Sequence, residues 1–77
     1  LRIWPNPVNN FLNVVGDSNP IDYITVMDLS GKILMRKNVG NNNTILNVSL
    51  LPVGTYLLET VCKGEISVKK FVKHNMY

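Results

Sequence analysis

Residues 23–32 read YITVMDLSGK, and this stretch combines a strand pattern with a turn signal. In its first half apolar and polar positions alternate, which places Ile24 and Val26 on one face of a half-buried strand. Asp28 and Gly31 follow at the first and fourth positions of a turn, where a type I turn favours these residue types. The stretch therefore predicts a strand that reverses direction at a type I turn and continues as an antiparallel partner.

The same period of two recurs along the chain between turn-forming segments. The predicted strands cover residues 1–4, 11–15, 23–27, 32–37, 45–48, 56–62 and 66–73. Lys63-Gly64-Glu65 is predicted to be a three-residue hairpin loop between the last two strands. Seven short strands, regularly spaced turns and no convincing helical period predict an all-β antiparallel β-sandwich. The side chains expected inside it are Leu12, Val14, Ile24, Val26, Leu46, Val48, Tyr56 and Leu58.

The segment LPVGTY at residues 51–56 refines this fold class. Tyr56 opens the sixth predicted strand, and in immunoglobulin-like sandwiches a tyrosine at this corner buries its ring and bonds its hydroxyl to the backbone upstream. Gly54 is expected to provide the backbone freedom that such a close approach requires. We therefore predict a seven-stranded antiparallel immunoglobulin-like β-sandwich that forms a single domain over residues 1–77.

The composition limits what this domain can be. The 77 residues are 45% apolar and 17% charged, and Cys62 is the only cysteine, so no intrachain disulfide can form. Cys62 is expected to be a small buried hydrophobe. No apolar run approaches the roughly 18 residues that a membrane span needs. Because low charge suits an exported protein and no signal peptide opens the chain, we expect a piece of a longer exported polypeptide.

Residue combinations that carry catalysis or hold cofactors are missing from the pattern. His74 is the only histidine, and the sequence has no serine–histidine–acid set, no metal-spaced cluster and no glycine-rich phosphate loop. Asp17-Ser18-Asn19 with Asp22 resembles a calcium loop only faintly, and an Asx-type turn is the favoured interpretation. We expect no enzyme activity, no metal site and no cofactor.

The net charge of +3 is concentrated near the end of the chain. Lysines 63, 69, 70 and 73 lie within the last fifteen residues, and only Phe71 interleaves with them as an aromatic. Nucleic-acid binding would require a wider basic face with more stacking aromatics, so no nucleic-acid partner is expected. Taken by themselves, these lysines are interpreted as charges on an edge strand that hinder edge-to-edge aggregation.

PNPVNN at residues 5–10 predicts a corner between the first two strands, because its prolines remove donors and its asparagines favour turns. This corner also belongs to a set of four stretches, WPNPV at 4–8, ITVMDLSGK at 24–32, LPVGTY at 51–56 and KKFVK at 69–73. In this order and spacing they resemble the type A C-terminal sorting domain of cargo for the type IX, or Por, secretion system of Bacteroidetes. The resemblance covers nearly the whole chain.

The resemblance implies a sorting signal and no catalytic activity. Such domains are seven-stranded sandwiches at the end of exported proteins, which they carry from the periplasm through an outer-membrane translocon to the cell surface or medium. The implied partners are the attached cargo, translocon and shuttle proteins, and a cysteine-protease sortase that removes the domain. The matched residues implied to be architectural are Pro5, Asn6, Pro7, Asp28, Gly31, Gly54 and Tyr56.

The closing segment is the candidate contact with the translocon. It combines cationic and apolar side chains, which suits β-augmentation or docking into a groove. The candidate recognition residues are Lys69, Lys70, Phe71, Val72 and Lys73.

A second function remains compatible with the sequence. An accessory fibronectin-like module that binds glycan or protein, or that spaces an exported enzyme, would carry the same corner at residues 52–56. A glycan platform normally shows several exposed aromatics, whereas this chain has one tryptophan and two phenylalanines. The sequence favours the sorting domain and keeps the accessory module as the alternative.

Overall fold

The computed structural model describes residues 1–75, which form two antiparallel sheets and no helix; Met76 and Tyr77 lie outside the described residues. In chain order the strands are β1 (Arg2–Trp4), β2 (Phe11–Val15), β3 (Tyr23–Met27), β4 (Ile33–Asn38), β5 (Asn43–Asn47), β6 (Gly54–Cys62) and β7 (Glu65–Lys73). The described part of the chain contains no helix long and apolar enough to span a membrane. All seven predicted strands are confirmed. β2 and β3 have the predicted bounds, and the other five begin or end one or two residues away from theirs.

The predicted loop between β6 and β7 is wrong by one residue. Cys62 pairs with Glu65, so only Lys63 and Gly64 remain in the loop. Both have positive φ, 49° and 79°, which is the backbone that a two-residue type I′ hairpin turn requires. The backbone N–H of Lys63 donates to the Asp22 carboxylate at 3.1 Å and ties this turn to the loop before β3.

The two sheets differ in size and in their edges. One contains three strands in the order β1-β2-β5, and the other contains four in the order β4-β3-β6-β7. In the larger sheet, β6 pairs with β7 over their whole length, so that Tyr56 lies opposite Phe71 and Gly54 opposite Lys73. The strands β4 and β7 are therefore the edges of the larger sheet.

Inward side chains from both sheets form one hydrophobic cluster. Every residue that the period of two placed inside is buried, since alternate side chains of each strand point to the same face. Val8, Ile21 and Phe71 are buried in the same cluster. The expectation for Cys62 is wrong, because its thiol is half-buried at the margin of this core.

The turn predicted at residues 28–31 is confirmed by its hydrogen bonds. The N–H of Gly31 donates to the carbonyl of Asp28 at 3.0 Å, and Gly31 has a φ of 89°. The Asp28 carboxylate accepts bonds from the Ser30 hydroxyl at 2.6 Å and from the Lys32 N–H at 3.0 Å. These donors favour the charged form and hold the pKa of Asp28 below its ordinary value of 3.8.

The tyrosine corner is present, but Gly54 does not act as expected. The Tyr56 hydroxyl donates to the carbonyl of Pro52, and its buried ring stacks on Phe71 with 5.7 Å between ring centroids. Gly54 is not among the glycines with positive φ, and a Cβ there would lie 3.8 Å from the Tyr56 hydroxyl, an ordinary contact. The expectation that this position needs the backbone freedom of glycine is therefore wrong.

Candidate functional site

Strand β7, which carries the predicted recognition segment, has two chemically different faces. Its side chains alternate, so residues 71 and 73 point into the core while residues 66, 68, 70 and 72 lie on the outer face of the sheet. Phe71 is fully buried against Tyr56. On the outer face Ile66, Val68 and Val72 keep 63%, 51% and 38% of their surface exposed.

The five predicted recognition residues do not form one surface. Lys69, Lys70 and Val72 are exposed, whereas Phe71 and Lys73 are buried. The Lys73 ammonium lies inside and donates to the carbonyl of His74 at 3.2 Å and to the Asn75 side-chain oxygen at 2.9 Å. In the folded domain Phe71 and Lys73 are therefore not accessible to a partner.

The PNPV corner covers one half of the β7 edge. The Asn6 side-chain oxygen accepts from the Val72 N–H at 2.9 Å, and its amide nitrogen donates to the Lys70 carbonyl at 3.3 Å. Val8 continues the pairing, since its N–H donates to the Val72 carbonyl at 2.8 Å and its carbonyl accepts from the His74 N–H at 2.9 Å. The peptide bonds before Pro5 and Pro7 are both cis.

The other half of the β7 edge has no such cover among residues 1–75. There the strand pairs only with β6, and no loop bonds to its outer side before the Lys70 carbonyl. Sequence reasoning missed Ile66 and Val68, which line this half. Their alternation with Ser67 was a usable signal, because it continues the outer face on which Lys70 and Val72 lie.

The described residues offer little for catalysis or for holding an ion. No three His, Cys, Asp or Glu side chains within residues 1–75 are placed to hold a metal. The Asp22 carboxylate, part of the faint calcium-loop pattern, instead accepts the Lys63 N–H. A cavity of about 450 Å³ lies beside β4 and the loop after β5, and its lining is mostly apolar: Leu34, Met35, Asn47, Val48, Leu50 and Leu51.

The comparison with known families decides between the two functions that the sequence allowed. The family model described as "Secretion system C-terminal sorting domain" matches residues 2–74. The chain belongs to this family. It is therefore a C-terminal sorting signal for type IX secretion, and the accessory module is the less favoured alternative. A search of curated proteins found no match.

Parts of all four motif stretches of the sorting domain lie at one end of the larger sheet. Met27 pairs with Leu57 and Leu57 with Lys70, so the turn after β3, the start of β6 and the end of β7 lie at the same end. The PNPV corner joins them there through Asn6 and Val8. Of the four stretches, only the first residues of the one at 24–32 extend towards the opposite end, which carries the turn at residues 63–64, since Ile24 pairs with Thr60.

Proposed function

We propose that this sorting domain directs a covalently attached cargo protein across the outer membrane by presenting the exposed part of β7 to the type IX machinery. Its partners are the outer-membrane translocon and shuttle proteins. A cysteine-protease sortase then removes the domain, and the cargo reaches the cell surface or the medium. Family membership over residues 2–74 supports this route.

The observation that carries the proposed contact is the chemistry of the uncovered half of β7. Lys69 and Lys70 are exposed at its end on opposite faces of the sheet, and Ile66 and Val68 add exposed apolar surface. Apolar side chains flanked by cations suit a protein partner, since burial supplies affinity and charge supplies orientation. Phe71 and Lys73 then contribute indirectly, by packing the strand on the core.

We also propose that the two sheets form an immunoglobulin-like sandwich within a single domain. The strand orders β1-β2-β5 and β4-β3-β6-β7 correspond to the A-B-E and C′-C-F-G arrangement of such folds. The Tyr56 hydroxyl bonded to the Pro52 carbonyl matches their tyrosine corner. A solved structure with a different strand order would contradict this assignment.

The contact is tested with the domain fused to the end of a signal-peptide-bearing reporter in a bacterium that has this secretion system. Lys69→Glu/Lys70→Glu should leave the reporter in the periplasm, because reversed charge opposes docking. Lys73 is left unchanged, since it is buried and its loss would disturb the fold.

The matched control is Arg2→Glu/Lys37→Glu, which makes the same change in net charge at exposed positions of β1 and β4. It should be exported like the parent. Exposed substitutions usually alter stability by no more than about 0.5 kcal/mol. Because the control also removes the exposed bond from the Lys37 ammonium to the Ile45 carbonyl, melting is measured for both variants to show that each is folded at the assay temperature. If the β7 variant is exported as well as the control, β7 is not the contact.

A further inference from the structure

We infer that the partner contributes an extended, acidic segment that adds as a new strand to the uncovered edge of β7 over residues 65–70. This inference rests on the proposed function, because it names the kind of partner that the same surface binds. Backbone hydrogen bonding, the length of the uncovered edge and its charge each restrict the occupant.

The backbone of this edge is prepared for strand addition. In an antiparallel ladder the N–H and C=O of one residue point to the same side, and the side alternates along the strand. The N–H and C=O of Val72 bond to the corner, so those of Ile66 and Val68 also point away from β6. The N–H of Lys70 points the same way, and its carbonyl already accepts from Asn6. Such a row of outward donors and acceptors is a template for another strand.

The corner limits how far the added strand can run. From the Lys70 carbonyl onward, the outward groups of β7 are bonded to Asn6 and Val8. At the other end, β7 stops at the turn formed by Lys63 and Gly64. A short segment therefore fits, and a long strand would collide with the corner.

The side chains specify the chemistry of the segment. Ile66 and Val68 are exposed on the outer face, so apolar residues at alternate positions of the partner would pack on them. Lys69 and Lys70 point to opposite faces at the end of the edge, and Lys63 lies in the turn beyond its start. Glu65 is the only acidic residue of β7. Acidic partner residues are therefore favoured, because opposite charges across a strand pair stabilise it.

A second copy of this chain fits less well. Each copy has a net charge of +3 and would bring its own Lys69 and Lys70 to the shared edge. Two copies of the same net charge repel one another, which opposes their association. An oppositely charged segment of another protein meets no such repulsion.

Strand addition is tested by removing one outward N–H. Val68→Pro deletes a donor that β6 does not use, which edge strands tolerate, while Val68→Thr keeps the N–H and serves as the matched control. In the reporter fusion, Val68→Pro should reduce export by about tenfold or more relative to Val68→Thr, because only the proline variant deprives a partner carbonyl of its donor. Ile66→Pro should behave like Val68→Pro.

The charge of the partner is tested by a graded series at Lys69 and Lys70. Arginine at both positions should preserve export, because its positive charge still attracts an acidic partner. Glutamine should reduce export, because the attraction is lost, and glutamate should reduce it most, because its negative charge repels the partner. Equal loss with glutamine and glutamate would overturn the acidic partner.

Amide exchange on the parent domain provides a readout that does not depend on the proline variants folding. In the isolated domain the N–H groups of Ile66, Val68 and Lys70 should exchange faster than those of Ser67 and Lys69, which β6 protects. Solubilised outer membranes from the secreting bacterium should slow Ile66 and Val68 by about tenfold or more, and membranes from a strain without the translocon should not.

The outcomes separate this inference from the proposed function. If lysine reversal blocks export but folded proline variants are exported and exchange at Ile66 is unchanged, β7 remains the contact and strand addition is overturned. If lysine reversal also has no effect, the proposed contact itself fails. If the parent dimerises in sedimentation and Val68→Pro is monomeric, the occupant is a second copy, which overturns the acidic partner.

Discussion

Replacing Asn6 by alanine should loosen the corner from β7 and destabilise the sorting domain. The Asn6 side chain joins two chain segments that are 64 to 66 residues apart, through the Val72 N–H at 2.9 Å and the Lys70 carbonyl at 3.3 Å. Both bonds are solvent-exposed, so water can replace the lost partner and the cost stays near the lower part of the usual range. Two such bonds together contribute about 1–2 kcal/mol. For a domain of this size, that lowers Tm by about 4–16 °C.

Thermal melting followed by β-sheet circular dichroism measures this effect against two controls. Asn10→Ala changes the same corner at an exposed side chain that makes no hydrogen bond within the described residues, so its Tm should stay near that of the parent. Asn6→Asp keeps the acceptor for the Val72 N–H and loses the donor to the Lys70 carbonyl. Its Tm should therefore fall between the Tm values of Asn6→Ala and Asn10→Ala. If Asn6→Ala melts within about 2 °C of Asn10→Ala, the two bonds do not stabilise the fold and the reasoning fails.

Three further predictions concern the corner and turn residues. Tyr56→Ala should lower the free energy of unfolding by about 3–5 kcal/mol, because it removes a buried aromatic ring. Tyr56→Phe should lower it by only about 1 kcal/mol, because it removes the hydrogen bond to the Pro52 carbonyl. Equal Tm values for these two variants would contradict the packing of the ring. Gly31→Ala should lower Tm, because alanine is strained at a φ of 89°. Gly54→Ala should leave Tm nearly unchanged, because Gly54 does not have a positive φ and a Cβ there makes only ordinary contacts. A larger decrease in Tm for Gly54→Ala than for Gly31→Ala would contradict these backbone conformations. Asp28→Asn should be less stable than the parent above pH 3.8, where the Asp28 carboxylate is charged. The difference in stability should shrink as the pH falls through the lowered pKa of Asp28, because the carboxylate is then protonated. A difference that persists in acid would exclude the charge as its cause.

The element pattern of this domain could be predicted from the sequence because it is encoded locally. The alternation around Ile24 and Val26 reports which side chains face the core, since a strand directs successive residues to opposite faces. The turn at Asp28 could be predicted for a similar reason, because its hydrogen bonds join residues at most four positions apart. The four motif stretches also sufficed to predict the family that the comparison then showed.

Which part of β7 can meet a partner was decided only by the tertiary structure. The sequence places Lys69, Lys70 and Lys73 in one basic run. Lys69 and Lys73 share a face of β7, yet the core covers that face only around Phe71 and Lys73, so Lys69 stays exposed. The contacts of Asn6 with β7 likewise depend on how the chain closes over 64 to 66 residues, and no local pattern reports such a distance. Side-chain alternation and turn formation depend on residues that are neighbours along the chain, so the sequence determines them. The burial of a side chain and the covering of a strand edge depend on which distant segments pair, so only the tertiary structure determines them.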